Sequence, residues 1–250
     1  MKMGLEGRIA LVTGAASDVG REIALALASE GAAVAVNYHS AGERAHAVVD
    51  EIRAKGVRAI ACQADICDLV AVKQMVQRTA TELGGLDILV NNAGLVMRRR
   101  FAETTPDEWH RQIDTCLYGA IHCCHAAGPL LHAGKRGRII SLVGDSSRVG
   151  ESGLSIAAAA RAGVIALMKS LAREMGGSGT TANAVSLGLV ETAHDKSWVE
   201  ANRERLVKFY PLRRLGQPGD VAPMVTLLAS AHASWITGQV ISVSGGFSMQ

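Results

Sequence analysis

Short apolar runs alternate with amphipathic stretches along the whole chain. Arg8 to Val12 is a short apolar run, followed by the glycine-bearing segment Gly14 to Gly20 and a helical pattern that ends at Gly31, a natural C-cap. A strand over Ala33 to Asn37 completes a strand–helix–strand unit, and the alternation then repeats. It predicts helices over Gly42–Lys55 and Leu69–Leu83 and strands over Val57–Ala61 and Leu86–Val90. Thr105-Pro106-Asp107-Glu108 has the form of a capping box with proline at the first helical position, opening a long helix toward Leu131. Arg138–Val143 reads as the fifth strand, and Ser155–Met175 as a helix with Ile156, Ala160, Val164, Leu167 and Leu171 on one face. Strands near Thr181–Val185 and Gln239–Val243 flank a helical region that includes Val221–Leu228.

Seven short strands alternating with helices predict an α/β fold: a doubly wound, seven-stranded parallel sheet with helices on both faces. Its ligand crevice then lies at the carboxyl ends of the strands, lined by the loops after strands one, four, five and six.

Composition agrees with a single compact domain over residues 1–250. Hydrophobic residues make up 48%, charged residues 20% and aromatics only 4%, with 27 glycines, which suits small side chains packed on a buried sheet. A net charge of +3 gives no ground for a nucleic-acid partner. No uninterrupted apolar run of about 18 residues is present and the first residues lack a signal-peptide layout, so a cytoplasmic protein away from membranes is expected. The odd set Cys62, Cys67, Cys116, Cys123 and Cys124 reads as reduced thiols. In His122-Cys123-Cys124-His125 a buried helix face explains the residues better than a metal, and no metal site is expected.

Several segments, in order, resemble the short-chain dehydrogenase/reductase family over essentially the whole chain. They are Thr13-Gly14…Gly20, Asp65, Asn91-Asn92-Ala93-Gly94, Arg214-Leu215-Gly216-Gln217-Pro218, Ile236-Thr237-Gly238 and Gly245-Gly246. The resemblance implies a Rossmann-like domain and an NAD(P) site in which glycines let backbone N–H groups approach the pyrophosphate. It assigns Gly14, Gly20, Asn37, Asp65, Asn91, Ala93 and Gly94 to that site.

The chain departs from the family pattern at several of these places. Asp18 stands where the family has its middle glycine, adding bulk and a negative charge near the phosphates. Two like charges ~4 Å apart cost from about 1 kcal/mol in water to about 4 near a protein surface. Either Asp18 turns away and caps the helix, or nucleotide binding is weakened. Asn37 replaces the acid that would take the ribose 2′-hydroxyl of NAD, and no arginine for an NADP phosphate accompanies Ser17 and His39. The expectation from these departures is that the chain binds no cofactor, with NAD(P) as the alternative.

At the reaction centre the family uses a tyrosine, a lysine four residues later, a serine thirteen residues before the tyrosine and an asparagine on the preceding helix. Arg161-Ala162-Gly163-Val164 and Gly137-Arg138-Ile139-Ile140 fix the register from both sides. The four positions are then Ala157, Arg161, Gly144 and Cys116. Ala157 cannot donate a proton, and a positioned acid–base group contributes roughly 10²–10⁴-fold. Gly144 offers no side chain, Cys116 is a weak donor, and Arg161 keeps a positive charge on a larger, planar fork. Tyr210 with Arg214 imitates the missing spacing but stands beside Pro211 and late in the chain. Tyr118 with His122 should point away from the fifth strand's loop, and Asp145, Ser146 and Ser147 have no histidine in the same loop to complete a triad.

The core is kept and the reaction centre is replaced. The expectation is a non-catalytic subunit that assembles with an active paralogue in a hetero-oligomer, a tetramer, as in two-subunit hydroxyacyl-CoA dehydrogenases of the 2-(hydroxybenzyl)succinyl-CoA type. Arg98-Arg99-Arg100 near the pocket rim would then be a solvated loop, or a contact for an acidic partner or the phosphates of an acyl-CoA. The alternatives are an NAD(P)-dependent oxidoreductase with an atypical active site and a ligand-sensing regulatory module.

Overall fold

A computed structural model describes residues 3–193 and 196–249. Its elements run in the anticipated order. These are β1 (Ile9–Val12), α1 (Asp18–Ser29), β2 (Ala33–Tyr38), α2 (Gly42–Arg53), β3 (Ala59–Gln63), α3 (Leu69–Leu83) and β4 (Ile88–Asn91). There follow α4 (Pro106–Ile113), α5 (Gly119–Ala133), β5 (Arg138–Gly144), the one-turn α6 (Ser146–Val149) and α7 (Ser155–Met175). The chain ends with β6 (Thr181–Leu187), α8 (Lys196–Leu206), α9 (Pro218–Ala229) and β7 (Val240–Val243).

All pairings in the seven-stranded sheet are parallel, in the order β3-β2-β1-β4-β5-β6-β7. Chain direction across the sheet reverses between β1 and β4, and a doubly wound fold opens its crevice there. Successive strand residues point to opposite faces, so Ala10 and Val12 join a core with α1, α2 and α9. Ile9 and Leu11 join a second core with α3, α5 and α7. Strands covered on both faces must be apolar throughout, which is why β1 and β4 are short unbroken runs.

Helix ends follow their local chemistry. Asp68 caps α3 by accepting from the N–H groups of Val70 and Ala71, and Gly84 closes it in the left-handed conformation. The Thr105–Glu108 capping box forms as anticipated, with Pro106 at the first position. The helix it opens does not run evenly to Leu131: Asp114–Tyr118 is a π-helical turn between α4 and α5. Such turns mark functional sites in many helices, and Cys116 sits on this one.

The segment Ser155–Ser178 is long and apolar enough, by length and composition alone, to cross a membrane. In the fold Val164, Met168 and Ala172 of α7 pack into the core against the sheet. All five cysteines are free thiols. At the end of the sheet away from the crevice, Asp87 accepts from the Ile9 N–H at 3.0 Å and pairs with Arg136 at 2.9 Å. Buried Arg8 lies 3.6 Å from the same carboxylate, and burial lowers its pKa to about 10.

Candidate active site

The loops after β1, β4, β5 and β6 meet over the crevice. Thr13 ties two of them together: its hydroxyl donates to the Val90 carbonyl and accepts from the N–H groups of Asn92 and Ala93, both at 3.0 Å. The Asn92 carboxamide donates to the carbonyls of Thr13 and Gly14. The glycine loop is packed so closely that a Cβ on Gly20 would lie 2.3 Å from the Gly14 carbonyl oxygen. Only glycine fits there.

Asp18 turns toward the loop after β6. Its backbone takes the left-handed conformation, φ 50°, that the family's glycine would adopt without cost. Its carboxylate reaches across the crevice and accepts from the Ala193 N–H at 3.0 Å. No side chain caps α1, so Asp18 is not the cap considered above, and the helix N-terminus stays open to an anion.

Asn37 is committed to the framework. Its carbonyl oxygen accepts from the Gly14 N–H, and its amide donates to the carbonyls of Cys62 and Ala64. It joins β2, β3 and the glycine loop, and both ends of its 2% exposed side chain are taken. The exposed groups at that end are Asp65, which accepts from the Cys67 N–H, and His39, 4.0 Å from the Asp65 carboxylate. Asn91 donates to the Ser141 hydroxyl at 3.0 Å, while its buried carbonyl oxygen has no partner among the described residues.

At the reaction centre the structure brings the replaced positions together. Gly144 ends β5 and Arg161 lies on α7, and a Cβ on Gly144 would stand 3.4 Å from Arg161 Nη1. A Cβ on Gly94 would be 2.7 Å from Nη2 and 3.7 Å from Cys116 Sγ. The guanidinium therefore reaches from α7 to a slot between the ends of β4 and β5. Ala157, 2% exposed, is one turn earlier on the same helix. The Cys116 thiol donates to the Leu95 carbonyl at 3.2 Å and accepts from the Leu95 N–H, pinning the loop after β4. A small cavity of about 10 Å³ is lined by Arg161 together with Thr13, Asn91, Cys116 and Ser141. It has room for no more than a water molecule.

A side of the crevice formed by α8 was not foreseen from the sequence. Arg98 stacks on Trp198 at 4.9 Å and pairs with Glu151 at 2.9 Å, joining two loops and α8. Arg99 pairs with Glu108, so two of the three consecutive arginines make ion pairs while all three stay exposed. A lone tryptophan in an otherwise polar segment was the available signal. Tyr210 is buried, accepts from the Leu189 N–H at 2.9 Å and stacks on Phe247, and burial raises its phenol pKa. Asp145, 2% exposed, accepts from the hydroxyls of Ser186 and Ser242 beneath the reaction centre. His122 places Nδ1 3.0 Å from the Ile66 carbonyl, Cys123 and Cys124 are buried, and Tyr118 is exposed.

The sheet order, the glycine-lined crevice and the phosphate cradle define a dinucleotide-dependent oxidoreductase fold. Residues 14–248 match the family described as enoyl-(acyl carrier protein) reductase. The chain is 43% identical over 240 residues to the 3-oxoacyl-[acyl-carrier-protein] reductase FabG of Staphylococcus aureus, covering 96% of this chain and 98% of that protein. It is 36% identical over 247 residues to the (2S)-[(R)-hydroxy(phenyl)methyl]succinyl-CoA dehydrogenase subunit BbsD of Thauera aromatica, covering 99% of each. The crystal structure of a dehydrogenase/reductase from Sinorhizobium meliloti superposes with a TM-score of 0.92 at 36% identity, over 99% of this chain and 98% of that one. The chain belongs to the short-chain dehydrogenase/reductase family.

These full-length matches to reductases and dehydrogenases overturn the expectation that no cofactor binds, since the family implies NAD(P).

Proposed function

We propose that this chain is an NAD(P)-dependent oxidoreductase that interconverts a carbonyl and a hydroxyl group on an acyl thioester, at a reaction centre rebuilt around Arg161. The observation that carries this reading is the open phosphate cradle: Asp18 adopts a glycine-like backbone, turns its carboxylate to Ala193 and leaves the start of α1 uncapped. NAD(P)H bound there supplies a hydride to the carbonyl carbon. The chain's own residues hold the loops through Thr13 and Asn92 and set Asp65 and His39 at the ribose and adenine end. Arg161 presents its positive charge to the substrate at this centre. With alanine at 157 and glycine at 144, the proton comes from water or from the substrate, which makes the enzyme slow by the roughly 10²–10⁴-fold that a positioned acid contributes.

The acyl-thioester substrate class is taken from the relatives, which are named for a 3-oxoacyl group on acyl carrier protein and for a substituted succinyl-CoA. The test is oxidation of NADPH and NADH by the purified chain with acetoacetyl-CoA, followed as loss of reduced-nicotinamide absorbance. Slow, saturable, thioester-dependent oxidation supports the reading. A rate equal to the protein-free control at stoichiometric protein refutes it.

A second reading is favoured by Cys116, Gly144 and Ala157 together: a nucleotide-binding subunit that leaves chemistry to an active paralogue in a hetero-oligomeric tetramer. Purification from the native host separates the two. A stoichiometric dehydrogenase partner supports this second reading, and a homo-oligomer opposes it.

A further inference from the structure

We propose that the reaction centre is a carboxylate receptor: the Arg161 guanidinium takes a free carboxylate carried by the ligand, in a paired, two-point contact. The proposal deepens the oxidoreductase reading by naming a substrate class, an acyl compound with a free carboxylate near its reacting carbon. It rests on that reading only for the site's purpose.

Three observations converge. First, Arg161 makes no hydrogen bond or ion pair with any of the described residues, whereas Arg98, Arg99 and Arg148 around the crevice are engaged. Second, the guanidinium is partly buried and wedged between positions that lack side chains: Nη1 stands beside Gly144 and Nη2 beside Gly94. A serine or larger residue at 144 would sit within van der Waals contact of the fork and offer it a hydroxyl. Glycine leaves that edge free. Third, Ala157 removes the bulk and the proton that a donor on the same helix face would bring.

A half-buried cation without a counter-charge is unfavourable, and a planar fork with five donors is matched best by a carboxylate. A neutral carbonyl oxygen would leave the charge uncompensated. The nearby acids do not supply the missing partner. Asp145 is turned to Ser186 and Ser242, and Glu151 is paired with Arg98. The small cavity that Arg161 lines admits no more than a water molecule, so a carboxylate ligand would have to meet the fork outside it.

The test is calorimetric titration of the full chain with 3-hydroxybutyrate and with its neutral isostere 3-hydroxybutyramide, each with and without saturating NADP⁺. The expected result is binding of the carboxylate and not of the amide, weakened about tenfold or more in Arg161→Gln and by a smaller factor in Arg161→Lys, which keeps charge but not the fork. Equal melting temperatures of the variants show that the fold is kept. Should Arg161→Gln fail to fold, Gly144→Ser, which offers the fork a competing hydroxyl, replaces it and should also weaken binding. Nucleotide binding without carboxylate binding overturns the receptor and leaves the oxidoreductase reading standing. Carboxylate affinity unchanged in Arg161→Gln overturns it as well, and absence of both ligands overturns both statements.

Discussion

Replacing Asp18 by glycine separates two effects that the wild-type residue combines. In the folded chain Asp18 holds a left-handed backbone, φ 50°, and its carboxylate accepts from the Ala193 N–H. Left-handed backbone costs an ordinary residue about 1–2 kcal/mol, somewhat less for aspartate, and glycine removes that cost. Loss of the partly exposed Ala193 hydrogen bond subtracts about 0.5–1.5 kcal/mol, so the two nearly cancel and stability should change by less than about 1 kcal/mol. Binding should respond differently. A carboxylate ~4 Å from a phosphate is repelled by about 1 kcal/mol in water and about 4 near a protein surface. Turning the side chain to Ala193 places it in the weaker part of that range, so Asp18→Gly should tighten NADPH and NADH binding by roughly tenfold. Titration calorimetry at low and high salt is the assay, and added salt should shrink the difference between variant and wild type. Asp18→Asn is the control, because it removes charge but keeps the hydrogen-bonding reach. If Asn and Gly variants both bind as the wild type does, Asp18 exerts no field on the phosphates. If only Gly binds tighter, at every salt concentration, backbone strain rather than charge is the cause.

Three further outcomes follow from the same geometry. Ala157→Tyr combined with Arg161→Lys and Gly144→Ser should raise thioester reduction about 10²–10⁴-fold; unchanged turnover would place the reaction centre elsewhere. Burial pushes Cys124 up to about 12 and Cys123 further, so native alkylation near neutral pH should mark partly exposed Cys67 alone, and native labelling of Cys116 would contradict its packing against Leu95. Hydrogen bonds from Arg214 and the Gln217 N–H hold the Asp220 carboxyl at about 2, below its ordinary value of 3.8. The pair, which closes the start of α9, therefore contributes its full stability above pH 3.8 and loses it as pH falls toward 2. Asp220→Asn should flatten that part of an acid-unfolding curve, by an amount that salt reduces because the pair is exposed.

Most of the fold was legible because strand burial on both faces and helical periodicity leave separate signatures. The α7 boundaries Ser155–Met175 coincide with the apolar pattern, since its inner face must follow the sheet. Strand starts slipped by about two residues at β3 and β4, where Val57 and Leu86 continue the apolar run without entering the ladder. The π-turn at Cys116 has no sequence mark, because it depends on how the loop after β4 docks. The α8 helix was missed for a different reason. It is polar, and it is held against Arg98 and Glu151 by long-range contacts that periodicity does not encode. At the site, the register of Gly144, Ala157 and Arg161 could be counted from flanking motifs, but side-chain direction could not. Asp18 and Asn37 are the clearest cases. Each looks like an altered ligand in sequence, whereas one reaches to Ala193 and the other bonds the framework of β2, β3 and the glycine loop.

Nucleotide occupancy tests the account most directly. Titration of the unmodified, full-length chain with NADPH and with NADH, followed by calorimetry, should give a saturable curve with one site per chain for at least one of them. Flat heats with both, from protein whose thermal transition shows it to be folded, would contradict it.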